Sequence, residues 1–258
     1  MIVNTQLANS IVLITGASSG IGAACARTFS AAGAKVIVNA RTRERLKPVI
    51  EELSGEVYAL SFDVCDRAAV ESAIASLPES WRAIDILINN AGLSRGLDKL
   101  YEGSIQDWEE MIDTNIKGLL YVSRAVVPGM VDRAKGHIIN IGSTAGHQTY
   151  PGGNVYCATK AAVKSITEGL KQDVLGTPIR VSAVDPGLVE TDFSNVRFHG
   201  DRDRASQVYR GLTPLTPADV ADVILFCVTR PPHVNLMDIV MMPVDQAPLM
   251  LFNRQNEG

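Results

Sequence analysis

Tyr156 and Lys160 stand four residues apart in the stretch Asn154-Val155-Tyr156-Cys157-Ala158-Thr159-Lys160. On a helix, that spacing puts a phenol and an ammonium one turn apart on a single face. Such a pair is suited to proton exchange with an oxygen. An unperturbed Tyr titrates near ~10, so donation at neutral pH calls for a pKa lowered by about three units, or about 4 kcal/mol. A fixed cation about 4 Å away, at an effective dielectric of ~20, supplies that amount. Taken alone, Y-x-x-x-K equally describes an ordinary helix face with the Tyr half buried and the Lys solvated. Its meaning depends on the elements that place other groups beside it.

The first of these is a β-branched apolar run at residues 11–15, too short for a helix and read as a buried strand. It passes directly into Gly16-Ala17-Ser18-Ser19-Gly20-Ile21-Gly22 and then a helical run over residues 23–32. In a strand–turn–helix unit, glycines let the backbone approach a pyrophosphate, and the helix N-terminus offers free N–H groups and a positive dipole end. The alternative, a plain flexible loop, does not explain the flanking elements. The second strand, residues 35–39, ends in Asn39-Ala40-Arg41 without the acidic residue that would hold the ribose hydroxyls of NAD. Arg41, Arg43 and Arg45 follow at the start of the next helix, where cations oppose the macrodipole and only Glu44 compensates. A bound 2′-phosphate accounts for them, which makes NADP the expected cofactor, with Arg41 its first contact. Pro48 in this helix implies a late start or a kink.

Further strands are expected at residues 56–60, 84–89, 137–141, 179–184 and 238–242. Asp66 is placed to cap a helix reaching about Leu77, and Thr216 to cap another with Pro217 at its first position. The fourth strand ends in Asn89-Asn90-Ala91-Gly92, at the sheet edge where ligands bind in such folds. A long helical pattern over residues 105–131 contains Asn115 and Gly118, both unfavourable in a helix interior, which implies a kink or an internal polar task. The fifth strand runs into Gly142-Ser143-Thr144-Ala145-Gly146, which is not the G-x-S-x-G elbow of a hydrolase. The helix of Tyr156 spans residues 154–175, and residues 193–211 form a polar, irregular lid. Alternation of this kind gives an α/β fold, a Rossmann-type doubly wound parallel sheet, in a single domain over residues 1–258.

Composition narrows the partners. The chain has 258 residues, 46% hydrophobic and 20% charged, with a net charge of -4, so it has no broad cationic field for nucleic acid or anionic lipid. Cys25, Cys65, Cys157 and Cys227 are scattered, with no C-x-x-C pair and no His at ligand spacing, so no metal is expected and a reducing, cytoplasmic setting is. The first basic residue is Arg27, and glycines interrupt the apolar region at residues 11–26, which fits neither a signal peptide nor a membrane span.

In their order and spacing these segments resemble the short-chain dehydrogenase/reductase family along nearly the whole chain. They are T-G-A-S-S-G-I-G at residues 15–22, N-N-A-G at 89–92, Asn115, Ser143, Tyr156 with Lys160, and Pro186-Gly187. The resemblance implies that Tyr156 exchanges a proton with a carbonyl or hydroxyl oxygen, and that Ser143 hydrogen-bonds that oxygen. It implies too that Lys160 lowers the Tyr pKa and holds the nicotinamide ribose, and that Asn115 holds a relay water. By the same resemblance Gly16, Ser18, Ser19, Gly20, Ile21 and Gly22 face the pyrophosphate, beside the Arg41 and Arg45 already read toward the 2′-phosphate. Asp63 and Val64 match the adenine loop; Asn90, Ala91 and Gly92 the ribose; and Pro186, Gly187, Val189 and Thr191 the carboxamide segment. Family members commonly form homotetramers through the helices carrying Asn115 and Tyr156.

Residues 185–198 and 241–246 resemble the subgroup of NADP-dependent 3-hydroxy acid and serine dehydrogenases, relatives of enzymes that reduce sulfoacetaldehyde. The common ending V-D-G-G is replaced by Val244-Asp245-Gln246-Ala247, which argues against a 3-oxoacyl carrier-protein reductase. A small acid needs a cation, and Arg197 offers a planar fork for carboxylate or sulfonate, with Tyr150 and Gln246 as further donors. The competing use of Arg197 is a rim ion pair with Asp201 or Asp203. His147 reads as a pocket or solvated residue, since Tyr156 and Lys160 already fill the acid/base role. His137, His199 and His233 show no partner pattern, and Trp81 and Trp108 read as packing. Three functions stay open: a reductase of small anionic aldehydes or 3-oxo acids, a reductase of bulkier neutral carbonyls, and an NADPH-sensing binding protein without turnover.

Overall fold

The computed structural model of the protein describes residues 7–248 and 251–255. Seven strands form one parallel sheet: β1 (Ile11–Ile14), β2 (Lys35–Ala40), β3 (Val57–Ser61), β4 (Ile86–Asn89), β5 (His137–Ile141), β6 (Arg180–Pro186) and β7 (Asp238–Met241). Their spatial order is β3-β2-β1-β4-β5-β6-β7, so the winding reverses between β1 and β4. At that reversal a crevice opens at the carboxyl ends of the strands. The strands are short apolar runs because both faces are covered. Val12, Ile14, Val36, Val38, Ile86 and Ile88 point into one layer, and Leu13, Ile37, Leu87 and Ile138 into the other.

Helices α1 (Gly20–Ala31) and α2 (Lys47–Glu52) follow β1 and β2. Helices α3 (Arg67–Ala75) and α4 (Glu79–Arg82) lie between β3 and β4. Pro48 falls at the first turn of α2, so the helix starts late, after a 3-10 turn at Arg43–Leu46. The three arginines therefore lie ahead of α2 and not in it. Asp66 caps α3 by accepting from the Ala69 N–H at 3.0 Å.

The long helix expected at residues 105–131 is divided. Helix α5 (Ile105–Ile112) passes into a π-helical segment, Asp113–Gly118, before α6 (Leu119–Asp132). The extra residue in the π turn rotates Asn115 inward, where it is 2% exposed. Helix α7 (Asn154–Asp173) carries Tyr156 and Lys160. Residues 193–211 are more regular than their composition predicts. They contain α8 (Phe193–Arg197) and α9 (Arg202–Gln207), the latter capped by Asp201, whose Oδ1 accepts from the Arg204 N–H at 3.0 Å. Helix α10 (Pro217–Val228) begins with a capping box between Thr216 and Asp219. Beyond β7, β8 (Gln246–Ala247) and β9 (Leu251–Phe252) pair as a small antiparallel ribbon, while Leu249 and Met250 lie outside the described residues.

The glycine turn between β1 and α1 shows why it admits no other residue. Gly16 and Gly20 have φ of 63° and 53°, the left-handed region. A Cβ on Gly22 would overlap the Gly16 carbonyl and the Asn90 amide. Gly169, inside α7, meets nothing within 4 Å. Gly22→Ala should therefore lower the unfolding free energy by about 1–3 kcal/mol through forced backbone shifts. Gly169→Ala should raise it by about 0.5–1 kcal/mol through helix entropy. Urea denaturation of the two variants checks the opposite signs.

Candidate active site

Four segments converge at the carboxyl edge of the sheet. The first is the glycine turn. Thr15 Oγ1 accepts the N–H groups of Asn90 and Ala91, both at 3.0 Å, and the Asn90 amide donates to the Thr15 and Gly16 carbonyls at 2.9 and 3.1 Å. Asn90 thus locks the turn to the loop after β4. Ser19, at the N-cap of α1, makes no side-chain cap, and the first turn holds no acidic residue, so its N–H groups and dipole end face an anion unopposed. Thr191, expected at the carboxamide, reaches across to Gly20, where an added Cβ would stand 3.3 Å from Thr191 Cγ2.

Asn39 sets the next part of the cradle. Its Oδ1 accepts from the Gly16 N–H at 3.4 Å, and its amide donates to the Leu60 and Phe62 carbonyls at 3.2 and 3.1 Å. Arg41, Arg43 and Arg45 beyond it are exposed, and no carboxylate among the described residues pairs with them. Asp63 closes the turn after β3 by accepting from the Cys65 N–H at 3.0 Å, and Val64 packs on Gly118 of the π segment. A turn with glycines at its close approaches, an uncapped helix end and guanidiniums that no carboxylate among the described residues pairs fit a dinucleotide with an extra phosphate.

The third segment joins the π turn to α7. Asn115 accepts from the Leu93 N–H at 2.9 Å and donates to the Leu93 carbonyl at 2.8 Å and to Thr159 Oγ1 at 3.0 Å. This is the internal polar task anticipated for it. A Cβ on Gly92 would lie 3.2 Å from Asn115 Oδ1 and 3.6 Å from Lys160 Nζ. Gly92 therefore keeps open the space between those two groups. Ser143 follows β5; its hydroxyl accepts from the Ala145 N–H at 3.1 Å and donates to the Pro186 carbonyl at 3.4 Å.

Tyr156 and Lys160 are 8% and 7% exposed. The Lys160 ammonium donates to the Ile141 carbonyl at 2.9 Å and lies 5.9 Å from the centre of the Tyr156 ring. Burial lowers its pKa to about 8, against which the Asp185 charge acts. The phenol is displaced the other way. Burial, and then Tyr150, push Tyr156 above its ordinary value, while Arg197 and a hydrogen bond with Ser143 act to lower it. The direct lowering of the phenol by Lys160 is thus corrected: the ammonium is turned to a backbone carbonyl, and the nearest opposing cation is Arg197.

Arg197, from α8, stands over the site. Its Nε donates to Ser94 Oγ and its Nη2 to Tyr150 Oη, both at 3.1 Å, and its guanidinium lies 5.3 and 5.1 Å from the Tyr156 and Phe193 ring centres. The rim ion pair with Asp201 or Asp203 is not formed, because Asp201 caps α9 instead. Gln246, taken as a substrate donor, fixes its Oε1 on the Leu188 N–H at 2.9 Å and so braces the segment of Pro186, Gly187 and Val189. Tyr209 donates from above to the Val189 carbonyl at 3.0 Å.

Several groups here carry no sequence signal of their own. Ser94 and Arg95 follow the N-N-A-G motif; Arg95 pairs with Glu110 at 2.7 Å and donates to the Val196 carbonyl at 2.6 Å. His199 and Asp107 pair at 3.1 Å, and His137 Nε2 lies 2.9 Å from Ser182 Oγ, so both histidines have partners after all. His147, Asp185 and Asp238 bring three possible ligand atoms within 4.8 Å of one another, although no spacing in the sequence links them.

Comparison with known proteins follows the same lines. The family model for short chain dehydrogenase matches residues 10–201. The NADP-dependent 3-hydroxy acid dehydrogenase YdfG of Escherichia coli strain K12 is 51% identical over 238 residues, 92% of this chain and 96% of that protein. The NADP-dependent 3-hydroxy acid dehydrogenase of Schizosaccharomyces pombe is 44% identical over 247 residues, 94% of this chain and 95% of that one. Among solved structures, the closed form of serine dehydrogenase complexed with NADP+ superimposes with a TM-score of 0.91 at 49% identity, covering 96% of this chain and 99% of that chain. Serine dehydrogenase from Escherichia coli gives 0.81 at 47%, covering 92% and 99%. The chain belongs to the short-chain dehydrogenase family.

Proposed function

We propose that this protein is an NADP-dependent dehydrogenase of 3-hydroxy acids, which interconverts a small anionic aldehyde or 3-oxo acid and the corresponding hydroxy compound. Malonate semialdehyde and sulfoacetaldehyde are the types of carbonyl substrate meant. The observation that carries the reading is Arg197. It is a half-buried guanidinium set on the ring of the catalytic Tyr156 and held by two hydroxyls, with no carboxylate among the described residues to neutralise it. A bidentate cation in that position suits a carboxylate or sulfonate one or two carbons from the reacting carbon. The names of the relatives and the closed, NADP-bound neighbour point the same way.

The nicotinamide cofactor supplies the hydride acceptor or donor. The protein's own residues do the rest. Tyr156 gives its proton to the carbonyl oxygen in reduction and takes it back in oxidation, and Ser143 steadies that oxygen with its hydroxyl. Lys160, at the bottom of the site, restores the phenol proton through the space that Gly92 leaves beside Asn115. Arg197 draws the acidic end of the substrate to the lid and places its carbonyl over Tyr156. Arg41 and Arg45 hold the 2′-phosphate. A homotetramer is supported by the exposed apolar side chains Ile105, Ile112 and Leu120 on α5 and α6, the elements that flank Asn115. A cytoplasmic location fits four free cysteines; no helix among the described residues is long and apolar enough to cross a membrane.

Three outcomes follow. Arg197→Ala should raise KM for malonate semialdehyde by about 10- to 100-fold, the worth of a charge-assisted hydrogen bond, and change KM for a neutral short aldehyde little. Equal effects on both would support a reductase of neutral carbonyls. Arg41→Ala should lower kcat/KM with NADPH by about 10- to 100-fold and leave the NADH value unchanged. Lys160 is charged below a pKa of about 8 and loses its proton above it. Reductive kcat/KM should therefore hold at neutral pH and fall as pH rises through about 8. A limb near the ordinary Lys value would contradict that role.

A further inference from the structure

Four polar side chains behind the Ser143 turn, those of His147, Lys164, Asp185 and Asp238, take no part in the proton transfer just described. His147 Nε2 lies 2.7 Å from Asp185 Oδ2 and 3.8 Å from Asp238 Oδ1. Lys164 Nζ lies 3.5 Å from Asp238 Oδ2 and 3.3 Å from His147 Nδ1. These contacts assign the imidazole tautomer. Nδ1 accepts from the Lys164 ammonium, so Nε2 carries the hydrogen and donates it to Asp185. The His147 side chain is 24% exposed, whereas that of Asp185 is 2% exposed. The cluster thus leads from solvent into the protein. Its donor set resembles a metal site, but the Lys164 ammonium already supplies the positive charge that the carboxylates require.

Asp185 is set against the machinery on two sides. A Cβ on Gly142 would overlap its Oδ1, so only glycine fits before Ser143. Asp185 also precedes Pro186, whose carbonyl accepts from the Ser143 hydroxyl. The Lys160 ammonium bonds the Ile141 carbonyl, one residue before Gly142, so carboxylate and ammonium meet at the end of β5, and the charge of Asp185 favours the ammonium. The titratable groups around this pair are Tyr156 and Lys164 on α7, His147 after β5, Asp238 on β7, and Arg197 across the phenol.

We propose that Asp185 is a positioning residue for the reaction, held ionised by His147, and that this buried carboxylate keeps the Lys160 ammonium charged at the pH where the enzyme works. The inference rests on the reading of Tyr156 and Lys160 as the proton-transfer pair. Burial and then Asp238 push Asp185 up to about 7, and the His147 hydrogen bond opposes them. Asp238 is held low by its bond with Asp185 and by His147 and Lys164, despite its own burial, so of the two carboxyls Asp185 titrates at the higher pH. The sign follows. Above about 7 Asp185 is charged and sustains Lys160 as its own limit of about 8 approaches. Without the His147 donor, Asp185 stays neutral to higher pH and that support is lost.

The test is the pH profile of reductive kcat/KM with NADPH, from pH 6 to 10 (about the span of the two titrations), for wild type, Asp185→Asn, His147→Ala and His147→Gln. Asp185→Asn should move the alkaline limb down by about one pH unit, the usual effect of removing a near opposite charge. His147→Ala should move it in the same direction, and His147→Gln, which keeps an N–H donor, should restore it. A lower kcat at every pH with the limb in place would mark a merely structural role and overturn the proposal. Should Asp185→Asn fail to fold, the two His147 variants decide by the same criterion. NADPH affinity is followed by fluorescence over the same pH range, and it requires no substrate. If wild type fails to reduce malonate semialdehyde, the functional reading falls by itself. The proposal then stands if the alkaline loss of NADPH affinity starts lower in His147→Ala than in wild type, and falls if it does not.

Discussion

A buried ammonium is the constraint around which this protein is built. Removing Lys160 from water costs several kcal/mol unless neighbouring groups offset it. The Ile141 carbonyl at the end of β5 accepts one of its protons at 2.9 Å. The charge of Asp185 offsets part of the rest, from the end of β6. The end of two adjacent parallel strands is therefore where the cation can be held, and α7 must cross there for Lys160 to reach it. Gly92 and Gly142 are glycines for the same reason. One leaves space beside the ammonium, and the other leaves space for the carboxylate.

The seat of α7 is fixed by buried amides and hydroxyls as well as by apolar packing. Asn89 donates to Ser123 Oγ at 3.0 Å and to Asn140 Oδ1 at 2.9 Å; Asn140 donates to Thr167 Oγ1 at 2.9 Å, which donates to the Val163 carbonyl. This chain runs from β4 through β5 into α7. Asn115 makes a second tie to α7 through Thr159. Directional bonds of this kind fix the rotation and height of a helix, which apolar contact alone leaves looser. The π segment belongs to the same device: it lets α5 and α6 keep their outer faces while Asn115 turns inward.

Much of this arrangement was legible in the residues. The strand pattern, the glycine turn, the late start of α2 at Pro48 and the cap at Thr216 follow from local rules of backbone conformation. The polar task of Asn115 was visible as a residue misplaced in an apolar helix. What sequence could not convey is where long side chains turn once elements pack. Lys160 is one helical turn from Tyr156, yet its ammonium bonds to a strand carbonyl and not to the phenol. Residues 193–211 read as irregular because their composition is polar, but Asp201 supplies a cap that makes a helix of six residues. His147 and Asp185 are 38 residues apart in the chain and meet only because β5 and β6 are neighbours. A pairing made by sheet order leaves no local trace.

Arg197 joins substrate recognition to closure of the site. Its guanidinium rests on Tyr156 and Phe193, and its backbone carbonyl accepts from the Gly96 N–H at 2.9 Å. One residue earlier, the Val196 carbonyl accepts from Arg95, which Glu110 holds in turn. Helix α8 is thus stitched to the loop after β4 by main-chain carbonyls, while its arginine side chain faces the site. Withdrawing α8 would break these bonds and carry the cation away from the phenol together. A cation over the Tyr156 ring also favours the phenolate. The group proposed to bind the acidic end of the substrate is therefore also the one that eases proton release from Tyr156. An anion that pairs with Arg197 weakens that help, because its charge offsets the guanidinium's. In reduction the phenol becomes a weaker acid, and it gives up its proton because hydride addition makes the substrate oxygen strongly basic. In oxidation the phenol must first lose its proton, so the weakened help of Arg197 bears most on that direction.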